Sequence, residues 1–322
     1  MIGSTLSEPT TLKVGSPQGA ILSPTVFIIL VSDMELHCPE AKLCGYADDT
    51  TVSVTAKSLD SVKEKCESAV NKLLTYMAIN KLSCNDDKTH ILVMKHGQVD
   101  RTLTFNIGEA KIKESKEEKL LGVWVSNDLK WSHHIEKLES NLRSRLYSLR
   151  KMEQIIPKSQ LKDIADSIFV SILRYALGLY CPIRLKPDDP VPSSINAIRV
   201  TYNDVLRLLC NSKRDERRPI EELLNQLGWL SLNQMSCEVR LIEVWKSLNL
   251  ENYCLKDLFE RVNSRNNERI RLKSAFKSRL RENSFHYLSV RIWNAAPSTM
   301  THAETESQAR KAIRNFVQTL PI

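Results

Sequence analysis

The strongest constraint on the fold is a change of sequence pattern near residue 130. Before this point, short apolar or β-branched segments with charged turns between them predict strands at residues 42–46, 50–55, 89–94, 102–107 and 120–125. Beyond it, longer segments predict helices at residues 134–152, 158–180, 195–210, 220–227 and 234–248. The sequence therefore predicts an α+β fold, in which helices pack on a mostly antiparallel sheet, followed by an all-α remainder.

Two helices are expected within the N-terminal part. The first covers residues 25–36, where Ser23-Pro24 would place a proline in the first turn. The second covers residues 58–82, and its apolar face is formed by residues at spacings of three and four, namely Leu59, Val62, Cys66, Ala69, Leu73 and Met77.

Composition excludes some classes of protein and leaves others open. The net charge of +8 and the sequence pI of about 9.0 permit a polyanionic partner without requiring one. The cysteines and histidines lack zinc-finger spacing, and no P-loop or dinucleotide-binding fingerprint is present. The longest apolar run falls short of the roughly 18 to 20 residues of a membrane span. We therefore expect a soluble protein without a membrane partner, located inside the cell in the cytoplasm or nucleus.

An acidic pair, Asp48-Asp49, is the most suggestive chemical feature. It lies between two predicted strands, so a hairpin turn would present both carboxylates to one site. Carboxylate oxygens are hard ligands that suit Mg²⁺, and nucleotidyl transfer uses two such ions about 3.5 to 4 Å apart. For an isolated Asp-Asp pair, a solvated turn is the more common explanation, because aspartate favours turns.

The surrounding motifs favour the catalytic interpretation. Residues 15–19 (Gly-Ser-Pro-Gln-Gly) resemble the Gly-x-Pro-Gln-Gly segment of reverse transcriptases, and residues 46–49 (Tyr-Ala-Asp-Asp) resemble their catalytic turn. Residues 82–89 resemble the next motif, and residues 120–123 with Trp131 and His134 resemble the primer grip and thumb entry. Four motifs in the family's order make a stronger signal than any one alone.

The C-terminal half is similar to a narrower group. Residues 219–224 and 227–230, the pairs at 284–285, 293–294 and 296–297, and Phe316 resemble the corresponding segments of LINE-type elements. The chain thus resembles the reverse transcriptase of a non-long-terminal-repeat retrotransposon from about residue 14 to its end. This resemblance implies a partial polymerase palm at residues 1–130, a helical thumb at 131–185 and a helical C-terminal extension at 186–322.

The resemblance also implies roles for particular residues. Asp48 and Asp49 would bind two catalytic Mg²⁺ ions. Gln18 and Gly19 would border the incoming nucleotide and the template. Tyr46 would pack beside the primer end.

Lys88 would lie near the triphosphate, where an ammonium group can neutralise charge or protonate pyrophosphate; a solvated loop lysine is the alternative. The implied reaction is addition of deoxynucleotides from their triphosphates to a DNA primer on an RNA template.

One catalytic residue of the family has no counterpart in the sequence. A further metal-binding aspartate belongs upstream of residues 15–19, but residues 1–14 contain only one acidic residue, Glu8. We therefore expect that this chain alone does not polymerise.

A basic run at residues 261–281 is a second candidate site. It has eight basic residues against one acid, Glu268. Clustered cations bind phosphates through counterion release, so Arg269, Arg271, Lys273 and Lys277 are candidate nucleic-acid contacts. A charged helix face in water is the alternative.

Two other functional hypotheses remain. A non-catalytic RNA-binding relic of a retroelement would explain the missing aspartate. An unrelated palm-like nucleotidyl transferase or cyclase would share the acidic hairpin but would not explain the C-terminal motifs. His133-His134 beside Trp131 predicts packing at a helix start in preference to a metal site, because neighbouring helical residues point in different directions.

Overall fold

The computed structural model describes residues 15–17, 19–95, 101–186, 188–189, 193–264, 267–273 and 284–322. The chain divides into two compact units. Unit 1 comprises Met1–Glu118 and Ser126–Leu129, and unit 2 comprises Lys119–Val125 and Lys130–Ile322. Helices and small antiparallel sheets together make the fold α+β.

Unit 1 is built around one long helix. Its described elements are α1 (Ser23–Val31), β1 (Lys42–Tyr46), β2 (Asp49–Ser53), α2 (Leu59–Ile79), β3 (Thr104–Ile107) and β4 (Ala110–Lys113), with short 3-10 turns at Met34–His37 and Asp86–Lys88. A further hairpin at the boundary of the units pairs β5 (Glu117–Leu120) with β6 (Val123–Ser126). Every strand in the described part of the chain belongs to a two-stranded sheet, so the larger sheet that was expected is not formed there.

The central helix α2 follows the prediction closely. Ser58 caps its N-terminus by accepting a hydrogen bond from the Ser61 amide at 3.2 Å. Two apolar clusters form against the helix: one contains Leu73 and Tyr76, and the other includes Leu74 and the buried Phe105 of β3. Burial of these side chains is what stabilises so long a helix, since propensity alone is a weak contribution.

Two expectations for unit 1 were wrong in detail. Residues 89–94 do not form a strand; they contribute only a single parallel bridge between Leu92 and Ser115, while Val93 is buried in the cluster under β3. The apolar run therefore reflects burial and not strand pairing. The helix predicted at residues 25–36 stops at Val31, where the Ser32 hydroxyl donates to the Ile29 carbonyl at 2.9 Å, and a separate 3-10 turn follows.

Unit 2 is mainly helical. Its described helices are α3 (Ser132–Met152), α4 (Lys158–Ala165), α5 (Ser171–Arg174), α6 (Leu177–Tyr180), α7 (Ser193–Leu209), α8 (Ile220–Leu227), α9 (Leu232–Asn249), α10 (Phe285–Trp293), α11 (Ser298–Thr301) and α12 (Glu306–Gln318). A π-helical turn, Asp166–Val170, joins α4 to α5, and one hairpin pairs β7 (Phe259–Ser264) with β8 (Asn267–Leu272).

A single apolar core holds unit 2 together. It runs from Ile135 of α3 to Val317 of α12, and α9 crosses it with buried residues on all sides. Residues on both sides of position 186 share this core; the assignment of thumb and extension on either side of that position stays a prediction. The helix predicted at residues 158–180 is interrupted, because Ala176 adopts the left-handed conformation with φ of +55°.

No helix in the described ranges is both long enough and apolar enough to cross a membrane.

Candidate active site and nucleic-acid interface

The acidic pair lies at the tip of a β-hairpin, as predicted. Strands β1 and β2 pair with Tyr46 opposite Asp49, which leaves Ala47 and Asp48 as a two-residue turn. Ala47 has a φ of +52°, a conformation that residues other than glycine rarely adopt. Left-handed backbone costs such a residue roughly 1–2 kcal/mol, so the turn holds strain beside the two carboxylates.

The base of this hairpin is anchored in unit 1. Leu43 and Val52 lie opposite each other and pack on the cluster that contains Tyr76. The Tyr76 hydroxyl donates to the Leu30 carbonyl at 2.8 Å and to Asp33 Oδ1 at 2.5 Å, which ties α1 to α2. Burial, together with Asp33, raises the pKa of Tyr76 to about 12, so this donor stays protonated at neutral pH. Sequence reasoning missed this anchor, although Tyr76 follows the apolar Leu73 at helical spacing.

The tip of the hairpin, in contrast, is open to solvent. Asp48 and Asp49 are exposed, and Tyr46 is 68% exposed. Two adjacent carboxylates provide hard oxygen donors, and Mg²⁺ normally keeps several waters and takes phosphate oxygens from its substrate. The donor set fits part of a Mg²⁺ shell. Within the described residues, no group of three or more His, Cys, Asp or Glu side chains could hold a metal ion.

The glycine-rich loop forms a tight turn before α1. The Pro17 carbonyl accepts hydrogen bonds from the Ala20 amide at 3.3 Å and the Ser23 hydroxyl at 2.8 Å. Gly19 has a φ of +84°, a conformation that glycine adopts readily. A Cβ added there would meet nothing within 4 Å, so conformation and not space requires glycine. Gln18 lies outside the described residues.

Lys88 is the last residue of a 3-10 turn that follows α2. The Asn85 carbonyl accepts from the Lys88 amide at 3.1 Å and from the Thr89 hydroxyl at 3.0 Å, so the turn is closed by its own backbone. The Lys88 side chain is exposed. The structure thus gathers Tyr46, Asp48 and Asp49 on one turn, while Gly19 and Lys88 lie on two other loops of unit 1. The role of Lys88 stays a prediction.

The basic run includes a strand, and the alternative of a charged helix face is wrong for its described part. Arg269 and Arg271 alternate along β8 with the buried Ile270, so both point to the exposed face. Arg271 forms an ion pair with Glu260 of β7, and Lys273 forms one with Asp257 at 2.7 Å. Because acids from β7 and from the preceding turn offset two of these charges, the patch is less cationic than the sequence suggests. Lys277 lies outside the described residues.

The two neighbouring histidines pack at the start of α3, as predicted. His134 is buried, with its ring edge-on to Tyr180 at 4.9 Å between centroids, and its Nδ1 accepts from the Trp124 amide at 3.4 Å. His133 lies edge-on to Trp124 at 4.8 Å. Burial lowers the pKa of His134, which keeps the imidazole neutral.

A comparison with known families bears on the loop and the acidic turn. Residues 2–125 match the family "Reverse transcriptase (RNA-dependent DNA polymerase)", and this segment includes the glycine turn, the hairpin and Lys88. This part of the chain is therefore similar to reverse transcriptases.

Two curated relatives narrow the resemblance. The chain is 24% identical over 208 residues to the RNA-directed DNA polymerase from mobile element jockey of Drosophila melanogaster, a match that covers 61% of this chain and 22% of the relative. It is 22% identical over 203 residues to the enzyme of the same name from Drosophila funebris, with the same coverage. The match thus spans about a fifth of each relative's length. No solved structure matches the chain.

Proposed function

We propose that the chain is part of an RNA-directed DNA polymerase of a retrotransposon, with unit 1 contributing part of the palm. The observation that carries this proposal is the two-residue turn at Ala47 and Asp48, which presents Asp48 and Asp49 to solvent within the segment related to reverse transcriptases. The substrates would be an RNA template, a DNA primer and deoxynucleoside triphosphates.

In this proposal, each site residue has a separate task. Asp48 and Asp49 hold Mg²⁺, which when bound activates the attacking hydroxyl and stabilises the leaving oxygen. Tyr46, next to the turn and 68% exposed, packs against the primer end.

Gly19 lets the backbone turn beside the incoming nucleotide, and Gln18 borders the template. Lys88 offers an ammonium group to the phosphates. In the cell, the protein works in the cytoplasm or the nucleus, where its RNA template is found.

A primer-extension assay with Mg²⁺ on an RNA template tests the acidic turn. A chimera in which residues 15–125 replace the matching segment of the jockey enzyme supplies the remaining parts of a polymerase. We expect extension by this chimera and its loss in the Asp48→Asn, Asp49→Asn variant. The control, Glu64→Gln with Glu109→Gln, removes two exposed carboxylates of unit 1, one of them at the tip of the β3–β4 hairpin.

Equal extension by the chimera and its Asp48→Asn, Asp49→Asn variant would refute the role of the turn. A folded chimera that extends no primer would count against the proposal as a whole. The expectation that the 322-residue chain alone is inactive stays a prediction, and the same assay on that chain tests it.

A non-catalytic RNA-binding protein is the second candidate, and the exposed row on β8 favours it. Surface ion pairs such as that of Arg271 with Glu260 are weak, so a phosphate can replace the acid. RNA binding without Mg²⁺ that is weakened by Arg269→Gln with Arg271→Gln, and unchanged by Arg143→Gln on the exposed side of α3, would support this candidate.

A further inference from the structure

Unit 2 contains a cavity of about 410 Å³ that no catalytic motif uses. Its lining includes Lys162 of α4, Arg174 of α5, Gly228 and Trp229 of the loop after α8, and Arg314 of α12. The volume lies within the range of roughly 300–1,000 Å³ that small-molecule sites occupy.

Two arginines of this cavity are held by one buried carboxylate. Glu238 of α9, whose side chain is 8% exposed, accepts from Arg174 at 2.6 Å and from Arg314 at 3.1 Å. Arg314 also donates to the Gly228 carbonyl at 3.0 Å. Each guanidinium carries five N–H donors in a fixed plane, so these bonds orient both groups and leave further donors available.

The charge of the site is complementary to a monoanion. Lys162, Arg174 and Arg314 contribute three positive charges, and Asp166 and Glu238 contribute two negative ones. The site therefore carries one excess positive charge. A phosphodiester carries one negative charge and matches the planar donors of arginine.

An aromatic side chain of the lining, Trp229, is held in place by its neighbours. Trp229 stacks on Tyr202 with ring centroids 5.9 Å apart and an interplanar angle of 13°. The Tyr202 hydroxyl donates to the Leu230 carbonyl at 2.7 Å, which fixes the pair. The ring of Trp229 is half-buried and lines the cavity, so this stacking holds it in a fixed position there.

The backbone beside the cavity is also unusual. The π-helical turn Asp166–Val170 lines it with both of its end residues. Single π turns inside helices are rare and occur frequently at functional sites. A fixed pair of arginines, a fixed indole ring and a π turn therefore line one cavity.

We propose that this cavity binds the phosphate of a nucleotide unit, with Arg174 and Arg314 holding the phosphate oxygens and the ring of Trp229 lying beside the ligand. The choice of single-stranded RNA as its source rests on the proposed function; a free nucleotide offers the same phosphate oxygens with a larger negative charge.

The indole N–H signals of the 15N-labelled chain report on the site directly. The sequence contains five tryptophans, and a Trp229→Phe variant assigns the signal of Trp229. Addition of a short oligouridylate should shift that signal. A shift with uridine 5′-monophosphate but not with the oligonucleotide would support the cavity and identify the free nucleotide as its ligand. If neither ligand shifts the signal in the folded chain, the proposal is refuted.

Variants on α12 provide a matched comparison. Arg314→Gln should weaken binding at least about tenfold, since a hydrogen bond to a charged group contributes roughly 1.5–3 kcal/mol. Arg310→Gln, one turn earlier on the same helix and paired with Glu306, should leave the affinity unchanged. Equal losses in both variants would refute the site, because they would reflect only total charge.

Two further variants complete the comparison. Trp229→Phe keeps an aromatic ring against Tyr202 and leaves both arginines in place, so it should weaken binding less than Arg314→Gln does. Asp48→Asn with Asp49→Asn should leave binding at the cavity unchanged while it abolishes primer extension in the chimera. Failure of the polymerase proposal and failure of the cavity proposal are thereby distinguishable.

Discussion

The completely buried Arg240 of α9 allows a quantitative prediction. Its guanidinium donates to the Cys181 carbonyl at 2.7 Å, to the Ser236 carbonyl at 3.2 Å and to the Ser236 hydroxyl. Burial lowers its pKa to about 10. A difference of this size means that burial disfavours the charged form by about 3 kcal/mol at neutral pH.

Replacement by methionine should therefore stabilise unit 2. Arg240→Met keeps an unbranched apolar chain in the core, and the Cys181 carbonyl still accepts from the Ser236 hydroxyl at 2.9 Å. Because this carbonyl is not left without a donor, we expect the free energy of unfolding to rise by about 3 kcal/mol. At an m-value of about 2 kcal/mol/M, the urea midpoint would rise by about 1.5 M.

Urea denaturation followed by circular dichroism measures this change. Arg199→Met, which removes an exposed arginine of α7, is the control and should shift the midpoint little. Because the folded pKa of Arg240 is below its unfolded value, its cost is fully present below pH 10 and declines as pH rises through about 10. The two proteins should therefore converge in alkaline solution. A lower midpoint for Arg240→Met would refute the reasoning and show that the hydrogen bonds outweigh the burial of charge.

Three further perturbations test other parts of the fold. Ala47→Gly should raise the stability of unit 1 by about 1 kcal/mol in thermal denaturation, because glycine adopts the φ of +52° without strain; an unchanged Tm would show that the turn is relaxed. Ser231→Ala should cost about 1 kcal/mol in urea, because the Ser231 hydroxyl and Gln234 form a capping box at the start of α9; a cost confined to a few tenths would contradict this. Burial lowers the pKa of His134, so the free energy of unfolding should fall as pH drops below about 6.5 towards the folded pKa. His134→Gln should reduce this pH dependence, which urea midpoints measured from pH 7.5 to 5.5 would show. An equal pH dependence in the variant would assign it to other groups.

Features that depend on neighbouring residues were predictable from the sequence. The hairpin at Asp48 follows from two short strand segments around an acidic turn, the second with alternating β-branched and polar residues, and α2 follows from apolar spacing and the Ser58 cap. Both signals are local, so no knowledge of the packed chain is needed.

Features that depend on distant residues were not predictable in this way. Glu238 meets arginines 64 positions before it and 76 positions after it, and no spacing in the sequence signals that meeting. At residues 89–94 the sequence predicted a strand that the structure does not form. The segment is apolar because it is buried under β3, and it does not pair as a strand. A short apolar run predicts burial more reliably than it predicts which segment, if any, it pairs with as a strand.

The residue at position 47 connects stability with the proposed chemistry. Glycine would fit the backbone of this turn without strain, yet the sequence has alanine there. Alanine has fewer accessible backbone conformations than glycine. Because the base of β1 and β2 is anchored, a turn with alanine at position 47 samples a smaller range of conformations than a turn with glycine there. In the proposed chemistry, two carboxylates that share metal ions require fixed positions, because small displacements of catalytic groups cost much of their effect. Strain at Ala47 is therefore consistent with a turn whose positional accuracy matters more than its stability.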